Sequence, residues 1–257
     1  MLLLSTASLT GYGLHRIFQF ASNAGYTGID IALGTLNFDL WDEDYILELA
    51  KEFDLPVLSL TAPGKGMSKK KLEKIMIMAK KLSVQLVTVS PPHITDKDTK
   101  WFGTSLARIK RDTHISICVQ NVEPKFLFFI IPEYRNATFT QIKTVTGDTT
   151  LDILGVDSSS SMDILKAQAM LGKSVKNIFF SDKKGMKRGI LPGGAGGGIS
   201  HLPLESFLMK LKSTGYGGYI TLKVNPAEVG VGNAERVTQN LEYMRTYYEK
   251  HFTNFTS

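Results

Sequence analysis

Between Val175 and Val224 the chain spells out one complete structural unit. Val175–Ser181 (VKNIFFS) is apolar and alternating, as a strand is. It runs into Asp182-Lys183-Lys184-Gly185 and then the glycine-rich Pro192–Gly198 (PGGAGGG). Leu204–Ser213 has helical spacing and is stopped by Gly215-Tyr216-Gly217-Gly218. A second strand follows, Tyr219–Val224 (YITLKV), with a lysine near its C-terminal end. The order is strand, helix, strand, with ligand-type residues at the strand ends.

The same unit recurs through the rest of the chain. Strands are expected at Met1–Ser5, Gly28–Leu33, Pro56–Thr61, Leu86–Ser90, Ile115–Asn121 and Leu151–Asp157. Helices are expected at His15–Ala24, Trp41–Phe53, Ser68–Leu82, Lys97–Arg111, Met162–Leu171 and Glu235–His251. Phe126–Thr146 is the least regular part: its first half is apolar without a period, and Pro132 breaks it. Strand–helix units repeated about eight times favour α/β architecture closed as a single (β/α)8 TIM barrel over an open sheet. One domain over residues 1–257 is expected, with no linker, low-complexity tract or membrane span.

Composition narrows the partners. Apolar content of 43% and charged content of 21% are those of a globule with a sizeable core. The single cysteine, Cys118, excludes an intramolecular disulfide and fits a reducing cytoplasm, the expected location. Met1–Leu4 is too short an apolar run for a signal peptide or a membrane anchor. The net charge of +6 leans toward anionic ligands such as phosphates. No long basic block lies outside Asp182–Arg188 and Lys69–Lys71, so nucleic acid is not expected as a partner.

Alternation along the strands assigns faces. In the last strand Ile220, Leu222 and Val224 belong against helices, so Lys223 should point into the barrel mouth. In the fifth, Ser116, Cys118 and Gln120 face inward, with Asn121 just beyond. The second offers Asp30, the fourth Thr88 and Ser90, the sixth Asp157, the seventh Asn177, Phe179 and Ser181. Polar groups converging at one end of a barrel make a ligand site, or merely line a wet rim. Cys118 reads as a small core residue, and the five histidines show no metal-ligand spacing. His93 and Trp101 are placed on a lid loop.

The phrases Ile17-Phe18-Gln19-Phe20-Ala21 to Ala24-Gly25-Tyr26-Thr27-Gly28-Ile29-Asp30-Ile31, and Leu211 through Gly215-Tyr216-Gly217-Gly218-Tyr219-Ile220-Thr221-Leu222, resemble the xylose isomerase-like barrel family. That family includes sugar and sugar-phosphate isomerases and epimerases and apurinic endonucleases. The resemblance implies a divalent metal held by a carboxylate of strand five, an Asp or His near the end of strand six, a His on strand seven and a Glu on strand eight. Those places here hold Gln120, Asp157, Phe179 and Lys223, with Asp182 beyond strand seven. The histidine often found at the end of strand four is replaced by Ser90, with His93 three residues on. A +1 and a +2 charge about 4 Å apart at an effective dielectric of about 20 repel by about 8 kcal/mol. The expectation is therefore no metal and no cofactor, with Lys223 standing in for the metal's charge.

The resemblance, so modified, points to a sugar or sugar phosphate as ligand. One reading is a metal-independent isomerase or epimerase, with Asp157 or Asp182 as base and Lys223 as electrophile. A second is a non-catalytic carbohydrate- or phosphate-binding pseudoenzyme, in which Lys223 and Asp157 fill a dead site. A third is a Schiff-base lyase through Lys223, which borohydride trapping would detect. An apurinic endonuclease is disfavoured, because phosphodiester cleavage there relies on a metal cluster. Asp30, Ser90, Gln120 and Asn121 are the candidate sugar contacts. The glycine loop, with Gly194 and Gly196, brings backbone N–H groups toward a phosphate, with Lys183 adding attraction, or is a flexible connector. It lacks the Lys-Ser/Thr of a nucleotide P-loop.

Overall fold

A computed structural model describes residues 1–34, 38–97, 99–156, 162–193 and 202–253. Eight parallel strands close into one barrel: β1 Leu2–Ser5, β2 Gly28–Ala32, β3 Val57–Thr61, β4 Leu86–Val89, β5 Ser116–Gln120, β6 Thr149–Asp152, β7 Val175–Phe180 and β8 Tyr219–Leu222. Their order around the ring is β1-β8-β7-β6-β5-β4-β3-β2. Strands such as β2 (GIDIA) are buried on both faces, which is why they read as near-continuous apolar runs. The expected single (β/α)8 TIM barrel is thus the fold. Among the described residues no helix is long and apolar enough to cross a membrane.

The chain divides into two compact units, Met1–Asp30 with Leu36–Pro56 and Phe179–Ser257, and Ile31–Thr35 with Val57–Ile178. The first unit carries α1 Leu14–Asn23 and α2 Glu43–Glu52. The second carries α3 Lys69–Lys81, α4 Lys100–Thr104, α5 Leu106–Thr113, α6 Phe139–Thr146 and α7 Ile164–Leu171. Back in the first unit are α8 Leu204–Ser213, α9 Pro226–Val229 and α10 Ala234–Tyr248. Helix starts follow side-chain caps: Asp42 accepts from the Tyr45 amide, Ser68 from Lys71, Asp163 from Lys166 and Asn233 from Arg236. The core of the first unit includes Phe18, Phe207 and Leu211, all fully buried, and that of the second Ile75, Met78 and Ile117.

Inside the second unit the strand-face expectation holds. Thr88 of β4 and Thr150 of β6 flank β5, yet their hydroxyl oxygens lie 2.8 Å apart. Side chains two strands apart meet only across the barrel interior. Cys118, paired in register with Thr88 and fully buried, lies on the strand between them.

Several expected elements differ. Strand six ends at Asp152, not Asp157, because the Asp152 carboxylate accepts the Leu154 amide and turns Ile153–Gly155 into a 3-10 helix. The expected helix over Lys97–Arg111 is two, α4 and α5, meeting at Ser105. The charged run after β7 is an antiparallel ribbon, Asp182–Lys184 with Lys187–Ile190, turning at Gly185 (φ 58°). The irregular segment holds a second ribbon, Phe126–Leu127 with Ile131–Pro132, and α6, started by a capping box between Thr138 and Gln141.

Candidate functional site

In the first unit the last two strands end side by side. The Lys223 amide, one residue past β8, donates to the Phe180 carbonyl at 3.1 Å. That register turns the half-buried Lys223 side chain back over β7, with Nζ 4.1 Å from the centre of the Phe179 ring. An ammonium over a ring face gains about 0.5–2 kcal/mol, which helps hold it at the strand end. Asp182 follows two residues after Phe180, fully buried, its carboxylate accepting the Lys183 amide at 2.8 Å. Asp30 is equally buried and accepts the Ser5 hydroxyl at 2.7 Å.

The glycine loop starts against two tyrosines of α10. Tyr243 donates its hydroxyl to the Pro192 carbonyl at 3.2 Å, and the Tyr243 and Tyr247 rings lie 6.3 Å apart. Burial holds both phenols protonated well above their ordinary range; the charges of Asp182 and Glu205 add to it. His251 stacks obliquely on Tyr247 at 4.6 Å. Gly193 has φ 82°, and a Cβ there would sit 2.6 Å from Tyr247 Cε2 and 2.7 Å from the Tyr243 hydroxyl. Gly193→Ala is therefore expected to cost about 1–3 kcal/mol through the left-handed backbone and the clash. Denaturant melts would show it, and a loss confined to affinity, with unchanged stability, would contradict it.

In the second unit Gln120, at the end of β5, donates Nε2 to the Ser90 hydroxyl at 2.6 Å. Its Oε1 is buried with no hydrogen-bond partner among the described residues. Whichever way the amide is turned, one polar end of Gln120 lacks a partner, and such a group ordinarily finds one. Asn121 beside it is a clamp: its Nδ2 donates to the Asp152 carbonyl at 2.9 Å, and its Oδ1 accepts the Asp152 amide at 2.7 Å.

His93 and Trp101 are buried and so are no part of an exposed lid. His93 lies 3.0 Å from Glu133 and 2.7 Å from the Thr95 hydroxyl, and Lys65 reaches the same Glu133 oxygen at 2.6 Å. The hydrogen bonds from Lys65 and then His93 hold the Glu133 carboxyl below the usual carboxylate range. Its stabilising contribution is complete above the unfolded value of about 4.3 and lost as pH falls through the lower folded value. Amide exchange at Ile94 and Arg135, corrected for intrinsic rates, is expected to accelerate below that window. Glu133→Gln should show the faster exchange at every pH. These two amides bond across the loop junction, to Glu133 and Pro92 carbonyls.

Of the sequence candidates, Lys223, Asp182, Lys183 and Asp30, in the middle of β2, fall in the first unit, and Ser90, Gln120 and Asn121 in the second. Asp157, Gly194 and Gly196 lie outside the described residues. Tyr243, Tyr247 and the Lys65–His93–Glu133 cluster escaped the sequence reading. No local motif marks them, since each is brought to its partner by distant parts of the chain. Among the described residues no three His, Cys, Asp or Glu side chains gather as metal ligands would.

The fold can now be placed among known proteins. A xylose isomerase domain-containing protein from Salmonella typhimurium LT2 superposes with a TM-score of 0.70, covering 96% of each chain at 10% identity. D-psicose 3-epimerase from Clostridium cellulolyticum H10, solved with D-tagatose, does so with a TM-score of 0.68, covering 97% of this chain and 98% of its own at 12% identity. Similarity of this order defines a xylose isomerase-like TIM barrel fold and nothing finer. In sequence, an uncharacterized protein of Mycobacterium leprae is 22% identical over 276 residues, covering 95% of this chain and 96% of its own. One of Mycobacterium bovis is 21% identical with the same shares. No family model matches the chain.

Proposed function

We propose that this protein binds a sugar or sugar phosphate at the C-terminal ends of its barrel strands and acts on it as a metal-independent isomerase or epimerase. The observation that carries the proposal is the Lys223 ammonium held over Phe179 at the end of the last barrel strand. The family resemblance puts a metal's histidine and glutamate at those two positions. A ring, an ammonium and, at Gln120, an amide do not suit a hard dication, which needs several anionic or imidazole donors close together. The same ammonium suits a ligand that is anionic or becomes so.

In such a reaction a carboxylate removes the proton from the carbon beside the carbonyl. The electron pair moves onto the carbonyl oxygen, where Lys223 stabilises the enediolate charge. The proton returns to the neighbouring carbon in an isomerisation, or to the opposite face in an epimerisation. Asp157 and Asp182 are the proposed bases. Lys183 and the glycine loop, with Gly194 and Gly196, would hold a phosphate, while Asp30, Ser90, Gln120 and Asn121 supply or position hydroxyl contacts. The unpartnered end of the Gln120 amide asks for a ligand group of this kind.

A second reading, binding without turnover, draws on the complete burial of Asp182, since a base must reach its substrate. Turnover of a panel of aldoses, ketoses and their phosphates, run with a chelator present, separates the two. Tight, stoichiometric zinc or manganese binding by calorimetry, with activity depending on it, would sink both versions of the metal-independent reading.

A further inference from the structure

The segment between β5 and α6 presents two apolar features that the barrel site does not use. The first is the ribbon Phe126–Pro132, whose tip stands in solvent: Phe128 is 85% exposed, Phe129 98% and Ile130 80%. Large apolar side chains carry about 150–250 Å² each, so the ribbon leaves roughly 600–800 Å² uncovered. The largest apolar patch on a typical monomer is about 300–600 Å². The tip is also an unusual turn. Ile130 donates to the Leu127 carbonyl at 3.2 Å, and both residues between them are left-handed, Phe128 at φ 50° and Phe129 at φ 61°. Tight turns of this kind favour asparagine and glycine. Two phenylalanines there keep a strained backbone in order to present two rings.

The second feature is a cavity of about 600 Å³ at the ribbon's base, walled on its apolar side by Phe126, Pro132, Tyr134, Phe139 and Met170. An apolar cavity of about 150 Å³ takes one benzene ring, so this one has room for the tip's rings and more. The ribbon's own tip does not fill it. Two paired rows, Phe126↔Pro132 and Leu127↔Ile131, hold the ribbon straight. Its base is fastened by the Glu133 amide to the Lys125 carbonyl at 2.8 Å and by Lys65 and His93 on Glu133.

We infer that the occupant of this cavity is the ribbon tip of a second copy of the chain, in a two-fold dimer with two ribbons lying antiparallel, the tip of each in the other's base. The ribbon reaches about 10 Å from base to tip, the span such an exchange needs. Ribbon and cavity wall from each copy together bury an area within the range of stable interfaces, about 1,200–2,000 Å² in total. A two-fold interface requires one surface to carry both the knob and its hole, and this segment does. An anionic lipid surface is the competing occupant, but such surfaces are read by clusters of several cations. Here Lys125 pairs with Glu123 at 3.6 Å and Lys65 with Glu133 at 2.6 Å, which leaves Arg135 on the cavity wall as a single added charge, too few for such a surface.

Light scattering behind size-exclusion chromatography should find a dimer of the full chain at micromolar concentrations. Phe129→Asp, at a position packed against nothing in the monomer, should raise the dissociation constant at least tenfold with an unchanged circular dichroism spectrum. Mixed Phe129→Cys and Ala137→Cys chains should form a disulfide-linked heterodimer on mild oxidation, Ala137 being a cavity-wall residue. Native Cys118 is fully buried and does not compete. A monomer at all concentrations, a dimer indifferent to Phe129→Asp, or cross-linking only between the two tips would overturn the inference. So would co-sedimentation of a monomer with phosphatidylserine vesicles that Phe129→Asp abolishes.

Discussion

Replacing Lys223 by methionine is expected to weaken binding of a sugar phosphate by roughly ten- to hundredfold while leaving the fold intact. A charge-assisted hydrogen bond is worth about 1.5–3 kcal/mol, and each 1.4 kcal/mol is about tenfold in affinity. Methionine keeps most of the stem that lies against Phe179. The cation–π contact leaves the folded state, about 1 kcal/mol, so the melting temperature should fall by about 2–4 °C or somewhat more. Turnover, where present, should fall further than affinity, because the enediolate carries more charge on its oxygen than the carbonyl does. Calorimetry on the best ligand of the panel gives the first number and thermal unfolding the second. An unchanged dissociation constant would remove Lys223 from the site. A collapse of stability would make it a structural residue instead.

The second large effect is expected on stability. Asn121→Ala takes both partners from the Asp152 backbone, its amide and its carbonyl. Leaving a buried polar group unmade costs about 1–3 kcal/mol, so the loss should be about 2–4 kcal/mol, visible as a shifted urea midpoint. Asp152 also starts the 3-10 turn at Ile153–Gly155, so the sixth strand's C-terminal loop should lose its anchor with it. Asn121→Asp is the informative companion. It keeps the acceptor for the Asp152 amide but sets an anion against the Asp152 carbonyl, so it should also destabilise the chain. A variant of either kind with full stability and lost affinity would return Asn121 to the role of a direct sugar contact.

Much of the barrel is legible because two periodicities alternate along the chain. Buried parallel strands give short apolar runs, and amphipathic helices give stripes such as Val237, Leu241 and Met244 on α10, all buried. The candidate role of Lys223 rests on the same pattern, since alternation in a short strand sets it on the face opposite Leu222. Where the sequence misleads, another interaction outranks the pattern. LDILGVD reads as a strand, but the Asp152 carboxylate bends it. FLFFII is apolar without a period, so it gives no face, and most of it stands in solvent. The Thr138–Gln141 pair was a usable start signal for α6, hidden behind that run. Asn121 was picked as a ligand residue because an amide at a strand end has the right chemistry. Its bonds to the Asp152 backbone carry no sequence signature. Tyr243 and Tyr247 approach Gly193 from about fifty positions away, a proximity that only folding creates.

One buried atom offers a way to time this molecule. The Cys118 sulfur lies fully buried in the barrel wall, and burial first, then the charge of Asp148, pushes its thiol well above the ordinary range. A thiol reagent cannot attack until neighbouring staves part, so the alkylation half-life of the native chain is a clock for the barrel's opening. A ligand gripping the rim should slow that clock in proportion to its occupancy, which turns an inert sulfur into a label-free gauge of binding.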